Sequence, residues 1–281
     1  MSQSVMNPLA KHFRQPSIYL KLPGGGKYWP DNSIDLPITG DLPVYPMTTK
    51  DEITLRTPDA LLNGQGVVDV IQSCCPNIKN AWAMPNNEAD SILIAMRIAS
   101  YGPTMSITSN CPHCSAENNY DIDLNQVLDT VRFPNFEKKL TVDNLTFKFK
   151  PQTYETANKA NLASFEEQRL LELLLQEAAN DQSKLTEFNK RLQKLNELNI
   201  DLIAEAVEYI ETEDGNKVTN LKYIKEFFDN ANATTVKTVQ KSIEELNKES
   251  QLRPVKVICE SCDKESQVNI EFNYSSFFVN G

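Results

Sequence analysis

Two short stretches decide the architecture of this 281-residue chain: ITSNCPHCSAENNYDIDL at 107–124 and VKVICESCDKESQVNIEF at 255–272. In each, a β-type run enters a Cys-x-x-Cys turn, and a polar stretch with an alternating apolar run follows it. Two such turns supply the four thiolates of a tetrahedral zinc site. If they share one ion, the site ties distant parts of the chain together, and the sequence between them is an insertion.

The cysteines of these two turns, here called the knuckles, are Cys111 and Cys114 in the first and Cys259 and Cys262 in the second. Their spacing favours a structural Zn²⁺ site, and an unmetallated ribbon is the alternative. A thioredoxin-like redox motif would open a helix, whereas a strand is predicted after each knuckle. His113 either replaces a thiolate or faces water, and water is favoured. Four thiolates leave no open position on a metal, so we expect no catalysis there.

The composition excludes several classes of function. The net charge is −10, from 28 basic and 38 acidic residues, which disfavours binding to nucleic acid or to an anionic membrane. No run of about 18 apolar residues predicts a transmembrane helix, and the first residues lack the apolar core of a secretory signal. Six cysteines, four of them in knuckles, indicate metal ligands in a reducing compartment. We therefore expect the protein to be made in a cytoplasm.

The pattern along the chain predicts an α+β fold, with a small β-containing zinc-ribbon-like core, an N-terminal extended arm and a large α-helical insertion. Residues 1–50 are rich in Pro and Gly and predict the arm. Residues 51–150 and 251–281 form the mixed α/β zinc-ribbon domain, and 151–250 form a helical-bundle insertion. The arm packs either on a partner or along its own domain, and the arm and the bundle at 155–250 are the expected contact surfaces. We expect a chain without residues 1–30 to fold but to fail to join its partners.

Local signals place several elements. Thr57-Pro58-Asp59 predicts a helix start, closed by Gly64. A second helix ends at Cys74-Cys75-Pro76, and a third covers about 87–101. A hairpin turns at Asp143-Asn144. Leucine spacings of three and four predict a bundle after 155, including a continuous helix over 183–210.

Other candidate sites are weak. Gly24-Gly25-Gly26-Lys27 lacks the spacing of a phosphate-binding loop, and Tyr28-Trp29-Pro30 stands where a helix should begin. Cys74 and Cys75 are adjacent, so they are interpreted as buried core thiols. Because the chain has only two histidines, a His-based catalytic site is excluded, and no catalytic residue and no small-molecule substrate is expected.

Four motifs resemble the baseplate hub proteins of T4-type contractile-tailed phages, a family of hub subunits and a hub-assembly factor. They are IYLKLPGGGKYWP (18–30), PVYPMTTKDEITLRTPDALLNG (43–64), RIASYG (97–102) and CPHC (111–114). The resemblance covers 18–124 but not the helical segment 151–250. In the family, a polar residue lies within the Leu-Pro…Gly turn, where this chain has three glycines.

The resemblance implies a non-enzymatic baseplate or hub-assembly component whose partners are other baseplate or hub proteins. Such a protein would be found in the host cytoplasm during assembly and then in the virion tail baseplate. The rival hypothesis is a zinc-ribbon nucleic-acid-binding or transcription-type adaptor, which usually presents basic and aromatic residues on its ribbon. The knuckle regions instead carry acidic residues, namely Glu117, Asp121, Asp123, Glu260, Asp263, Glu265 and Glu271.

Overall fold

The computed structural model describes residues 7–57, 64–177, 182–270 and 277–278. This part of the chain has an α+β fold with small antiparallel sheets, as predicted. Its α-helices are α1 (Thr49–Leu55), α2 (Gln65–Cys74), α3 (Asn86–Tyr101), α4 (Leu124–Thr130), α5 (Tyr154–Glu177), α6 (Gln182–Glu205), α7 (Leu221–Asn230) and α8 (Ala233–Ser250). Short 3₁₀ helices cover Ala10–His12 and Ala81–Ala83.

The strands form three two-stranded sheets and one four-stranded sheet. They are β1 (Ile18–Lys21), β2 (Asp41–Val44), β3 (Thr104–Asn110), β4 (Glu117–Asp123), β5 (Lys139–Val142), β6 (Leu145–Phe149), β7 (Val207–Glu211), β8 (Lys217–Val218), β9 (Val255–Ile258) and β10 (Glu265–Val268). The antiparallel pairs β1–β2, β3–β4 and β9–β10 are each two-stranded, and β5, β6, β7 and β8 form a four-stranded sheet in that order. Each knuckle connects the two strands of its own hairpin.

Local sequence signals placed several of these elements correctly. α2 and α3 confirm the helices predicted before Cys75 and near 87–101. The β5–β6 hairpin confirms the turn at Asp143-Asn144, where both residues have a positive φ. Two-residue hairpin loops need that conformation, and Asp and Asn tolerate it. The helix predicted to begin at Thr57-Pro58-Asp59 falls mostly outside the described residues.

The N-terminal segment belongs to the first hydrophobic cluster. Leu20, Leu22 and Trp29 are buried, as are two residues of β2, and they pack with α2, α3 and the knuckle hairpins. The segment therefore packs along its own domain, one of the two predicted placements. Removing residues 1–30 would take these three side chains out of the cluster, which argues against the prediction that the remaining chain folds.

An arginine fixes the first part of that segment to the core. Arg14 Nη1 lies 3.2 Å from Asp51 Oδ2, and its Nη2 donates to the Ser73 carbonyl at 2.7 Å. Asp51 in turn accepts the backbone N–H of Thr48 at 2.7 Å in the capping box that begins α1. The polar residues of the MTTKDE motif thus connect the N-terminal segment, α1 and α2.

The second hydrophobic cluster combines the β5–β8 sheet with α6, α7 and α8. Its buried members include Phe147, Ile210, Ile224 and Val239. The helical prediction for 155–250 is confirmed for α5 to α8, but the continuous helix over 183–210 is wrong beyond residue 205. There, β7 adds to β6 and satisfies the backbone by strand pairing. The resulting sheet has strands on both sides of residue 150.

The glycine loop and its two aromatic residues join the two clusters. Glu88, which is 1% exposed, accepts the Gly24 N–H at 2.8 Å and the Trp29 Nε1–H at 2.5 Å. The Tyr28 ring stacks on Phe133 with 5.5 Å between centroids. The loop is therefore a packing element built around a buried carboxylate, consistent with the absence of a phosphate-loop pattern.

Candidate metal centre

The four knuckle sulfurs converge on one point. Every pair lies within 4.8 Å, with 3.8 Å between Cys111 Sγ and Cys262 Sγ and 3.6 Å between Cys114 Sγ and Cys259 Sγ. A tetrahedral ion with metal–sulfur bonds of about 2.3 Å requires sulfur–sulfur separations of about 3.8 Å. The arrangement thus fits one tetrahedral metal ion shared by both knuckles.

The two knuckles have the same backbone structure. In each, the N–H of the first cysteine donates to the carbonyl five residues later, at 2.9 Å for Cys111 and 3.1 Å for Cys259. The residue after the second cysteine donates back to the first cysteine's carbonyl at 2.9 Å in both. That residue, Ser115 or Asp263, has a φ near +60°. The repeated sequence therefore produces a repeated turn that presents two sulfurs on one side.

The hairpins behind the knuckles set the burial of the sulfurs. Cys111 and Cys259, the first cysteine of each knuckle, are buried, whereas Cys262 is half-buried and Cys114 is exposed. The centre thus lies at the rim of the first hydrophobic cluster, to which residues of both hairpins contribute. Four protein ligands complete a tetrahedral shell, so the chemistry available to such a site is structural.

The pKa values of neighbouring thiols in this cluster shift in opposite directions, and a bound cation would favour the thiolate form of all four. Burial raises the pKa of Cys259, but hydrogen bonds, first from the backbone N–H groups of Ser261 and Cys262, outweigh it and lower this pKa to about 6. The pKa of Cys262 rises to about 12, because burial and the neighbouring thiols outweigh the Lys264 N–H. Thiolates this close repel one another, and a bound dication is what allows all four to ionise.

His113 does not join the sulfurs. Its side chain is exposed, and its Nε2 lies 3.3 Å from the Glu265 carbonyl in the opposite hairpin. Its backbone N–H donates to Cys111 Sγ at 3.4 Å. The interpretation that the ring faces water rather than replacing a thiolate agrees with this geometry.

The remaining cysteines are core thiols. Cys74 and Cys75 are both fully buried, and burial raises the pKa of Cys74 to about 12 and the pKa of Cys75 further. Within the described ranges, the knuckle sulfurs are the one group of three or more His, Cys, Asp or Glu ligand atoms close enough to hold a metal.

Asn118 is a further residue of this centre, and the sequence does not predict it. This residue of β4 is buried, and its amide contacts both knuckles. Its only sequence signal is a position shared with Ser266, since each residue comes seven places after the first cysteine of its knuckle. An amide among polar neighbours carries no pattern that indicates such a contact.

The comparisons with known proteins bear on the whole chain. The family model described as T4 bacteriophage base plate protein matches residues 17–279. This range includes the helical segment 151–250, which the motif resemblance did not reach. No curated protein and no solved structure is significantly similar to the chain. No helix in the described part is long and apolar enough to cross a membrane. On the match to nearly all of its length, the chain belongs to the T4 bacteriophage base plate protein family.

Proposed function

We propose that this protein acts in the hub region of a contractile phage tail baseplate, as a structural or assembly component that binds other baseplate or hub proteins. Membership of the base plate family supports a structural component of the virion tail. The hub region and the hub proteins as partners are the finer part of the proposal. The protein would take part in assembly of the baseplate in the host cytoplasm.

Cys111, Cys114, Cys259 and Cys262 hold one structural Zn²⁺ in this proposal. The observation that carries it is the convergence of four sulfurs within 4.8 Å from two hairpins far apart in sequence. Four soft thiolates in a tetrahedral arrangement favour zinc over harder divalent ions. The ion would fasten the β9–β10 hairpin to the β3–β4 hairpin.

The proposed organisation keeps an N-terminal segment 1–50, a ribbon domain of 51–150 with 251–281, and an insertion of 151–250. Leu20, Leu22 and Trp29 anchor the N-terminal segment in the ribbon domain. The β5–β6 hairpin packs with the insertion, because β6 pairs with β7.

A groove between two hairpins is the contact surface that we propose for a partner. It has a volume of about 780 Å³ and is lined along its length by residues of β4 and β9. In the described part of the chain, β4 pairs with β3 alone and β9 with β10 alone, so each presents an unpaired edge. Ile258, which also lines the groove, is 64% exposed. Unpaired edges accept an added strand through backbone hydrogen bonds.

A non-enzymatic role is proposed on two grounds. The four-cysteine shell leaves no coordination position for a substrate, and the family is one of structural proteins. The groove is lined by three acidic side chains, Asp121, Asp123 and Glu260, and by two basic ones, Arg253 and Lys256, and the chain's net charge of −10 disfavours phosphate. The nucleic-acid adaptor is therefore the weaker alternative.

Metal content tests the zinc site. Elemental mass spectrometry on the purified chain is expected to give one zinc per molecule. Thiol titration of the folded chain should find four more reactive thiols after chelation than before it, with Cys74 and Cys75 reacting after denaturation only. No metal, or two ions per chain, would contradict a single shared site.

Association tests the baseplate role. The zinc-loaded chain should co-elute with purified hub proteins of a T4-type phage in size-exclusion chromatography. A charge reversal in the groove, Asp121→Lys, should weaken that association, whereas Asp214→Lys in the distant β7–β8 turn should not. A mobility shift of DNA or RNA at low salt, without hub binding, would favour the adaptor instead.

A further inference from the structure

We infer that Asn118 is a positioning residue of the metal centre, which holds the two knuckles at the separation that the ion requires. This inference rests on the proposed zinc site. The Asn118 side chain is 5% exposed and lies in β4, just after the first knuckle. Its amide reaches from that knuckle into the second.

The amide makes hydrogen bonds on both sides of the junction. Its Nδ2 donates to the Ala116 carbonyl in its own knuckle at 2.9 Å. Its Oδ1 accepts the backbone N–H of Glu260, between the two cysteines of the other knuckle, at 3.2 Å. The same Nδ2 lies 3.5 Å from Cys259 Sγ, within reach of a hydrogen bond to sulfur. A carboxamide can make both contacts because it carries a donor and an acceptor on two separate atoms.

Few other polar contacts cross between the knuckles. The His113 ring also crosses, to the Glu265 carbonyl, but it is exposed to water that competes for the bond. Ser266, at the position equivalent to Asn118 in the second knuckle, lies near the Tyr120 hydroxyl of β4 instead of reaching the cysteines of the first knuckle. Asn118 is thus a buried polar link that joins the two knuckles directly.

The consequence is a site preordered for its ion. Because Asn118 holds Glu260, the two cysteines of the second knuckle stay opposite those of the first when the ion is absent. Binding the ion then requires less ordering of the two knuckles. Partners of metal ligands typically contribute about 10–100-fold in metal affinity. We therefore expect Asn118→Ala to weaken zinc binding by about that factor while the four ligands stay the same.

The experiment compares variants at two neighbouring positions of β4. Asn119→Ala is the matched control, because Asn119 is exposed on the opposite face and bonds to Thr108 at 2.7 Å. Zinc affinity is measured by competition with a chromophoric chelator, and Co²⁺ is the spectroscopic probe of a tetrahedral four-sulfur shell. Asn118→Ala should keep the Co²⁺ spectrum and lose affinity, whereas Asn119→Ala should keep both. Equal affinities in the two variants would overturn the inference.

A nearly isosteric variant covers the case in which Asn118→Ala does not fold. Asn118→Asp preserves the shape and the acceptor for the Glu260 N–H, but it cannot donate to the Ala116 carbonyl and places a carboxylate beside Cys259. Its zinc affinity should fall at least as far as that of Asn118→Ala, and an affinity equal to wild type would refute the role. If the wild-type chain itself binds neither zinc nor Co²⁺, the zinc proposal fails, and the Asn118 inference fails with it.

Discussion

Substituting Gly24 with alanine tests the joint between the two hydrophobic clusters. A Cβ at this position would lie 2.6 Å from Glu88 Oε1 and 2.8 Å from Phe133 Cε2. Both distances are shorter than real Cβ contacts, so one neighbour must move. The backbone of Gly24 is not left-handed, and the cost of Gly24→Ala is therefore steric rather than conformational.

The loss of stability in Gly24→Ala is the sum of a steric cost and the cost of weakened hydrogen bonds to Glu88, less a gain from the unfolded chain. Overpacking of this kind costs about 2 kcal/mol. Displacing Glu88 also weakens its hydrogen bonds from Gly24 N–H and Trp29 Nε1–H, which adds about 2 kcal/mol for a charged acceptor. Alanine restricts the unfolded chain and returns about 0.7 kcal/mol. We expect the free energy of unfolding to fall by about 3 kcal/mol.

Urea unfolding of the zinc-loaded protein, followed by tryptophan fluorescence, measures this change. Gly25→Ala is the matched control, since a Cβ there has nothing within 4 Å and the residue has a φ of +61°. Its cost is conformational alone, about 1 kcal/mol. A loss for Gly24→Ala no larger than that for Gly25→Ala would refute the packing argument.

Three further predictions concern the metal, the N-terminal segment and pH. Cys259→Ser should lower Tm by at least about 20 °C, because structural zinc contributes about 10 kcal/mol or more in small sites and each kcal/mol is worth about 2–4 °C at this size; calorimetry showing no change would exclude the shared site. Deleting residues 1–30 should abolish cooperative unfolding in circular dichroism, since Trp29 and its neighbours leave the core; a cooperative transition would show the segment to be accessory. Burial raises the pKa of Glu88 above 4.5, so its contribution is complete below pH 4.5 and is lost as pH rises through the raised pKa. The free energy of unfolding should therefore decline with pH less steeply in Glu88→Gln than in the wild-type chain. Denaturant titrations that give both chains the same pH dependence would contradict this.

Elements with strong local signals could be predicted from the sequence. The knuckles have a fixed spacing, the Asp143-Asn144 pair favours a two-residue turn, and α2 and α3 have long apolar stretches. Assigning both knuckles to one metal site then predicted that their four sulfurs lie close together. These features depend on residues close together in sequence, or on a ligand chemistry with few alternatives.

Features set by distant contacts were missed. The leucine pattern of α6 runs into Val207, and only pairing with β6 makes 207–211 a strand, although alternating Val, Tyr and Glu in VEYIE is a usable signal. Asn118 and Glu88 act on groups 142 and 64 positions away. A lone Asn or Glu has many possible partners, so its sequence position does not indicate which one it meets.

The path of the chain explains why a metal would stand at the knuckles. After β4 and α4 the chain touches the first cluster again at Tyr154, builds most of the second, and returns through β9 and β10 to the first. Cys114 and Cys259, which meet at 3.6 Å, are 145 positions apart. Closing a loop costs entropy, although this cost grows slowly with length, and the buried side chains of the returning hairpin help to offset it. A four-thiolate ion adds binding free energy at the point of return, where apolar burial alone contributes least.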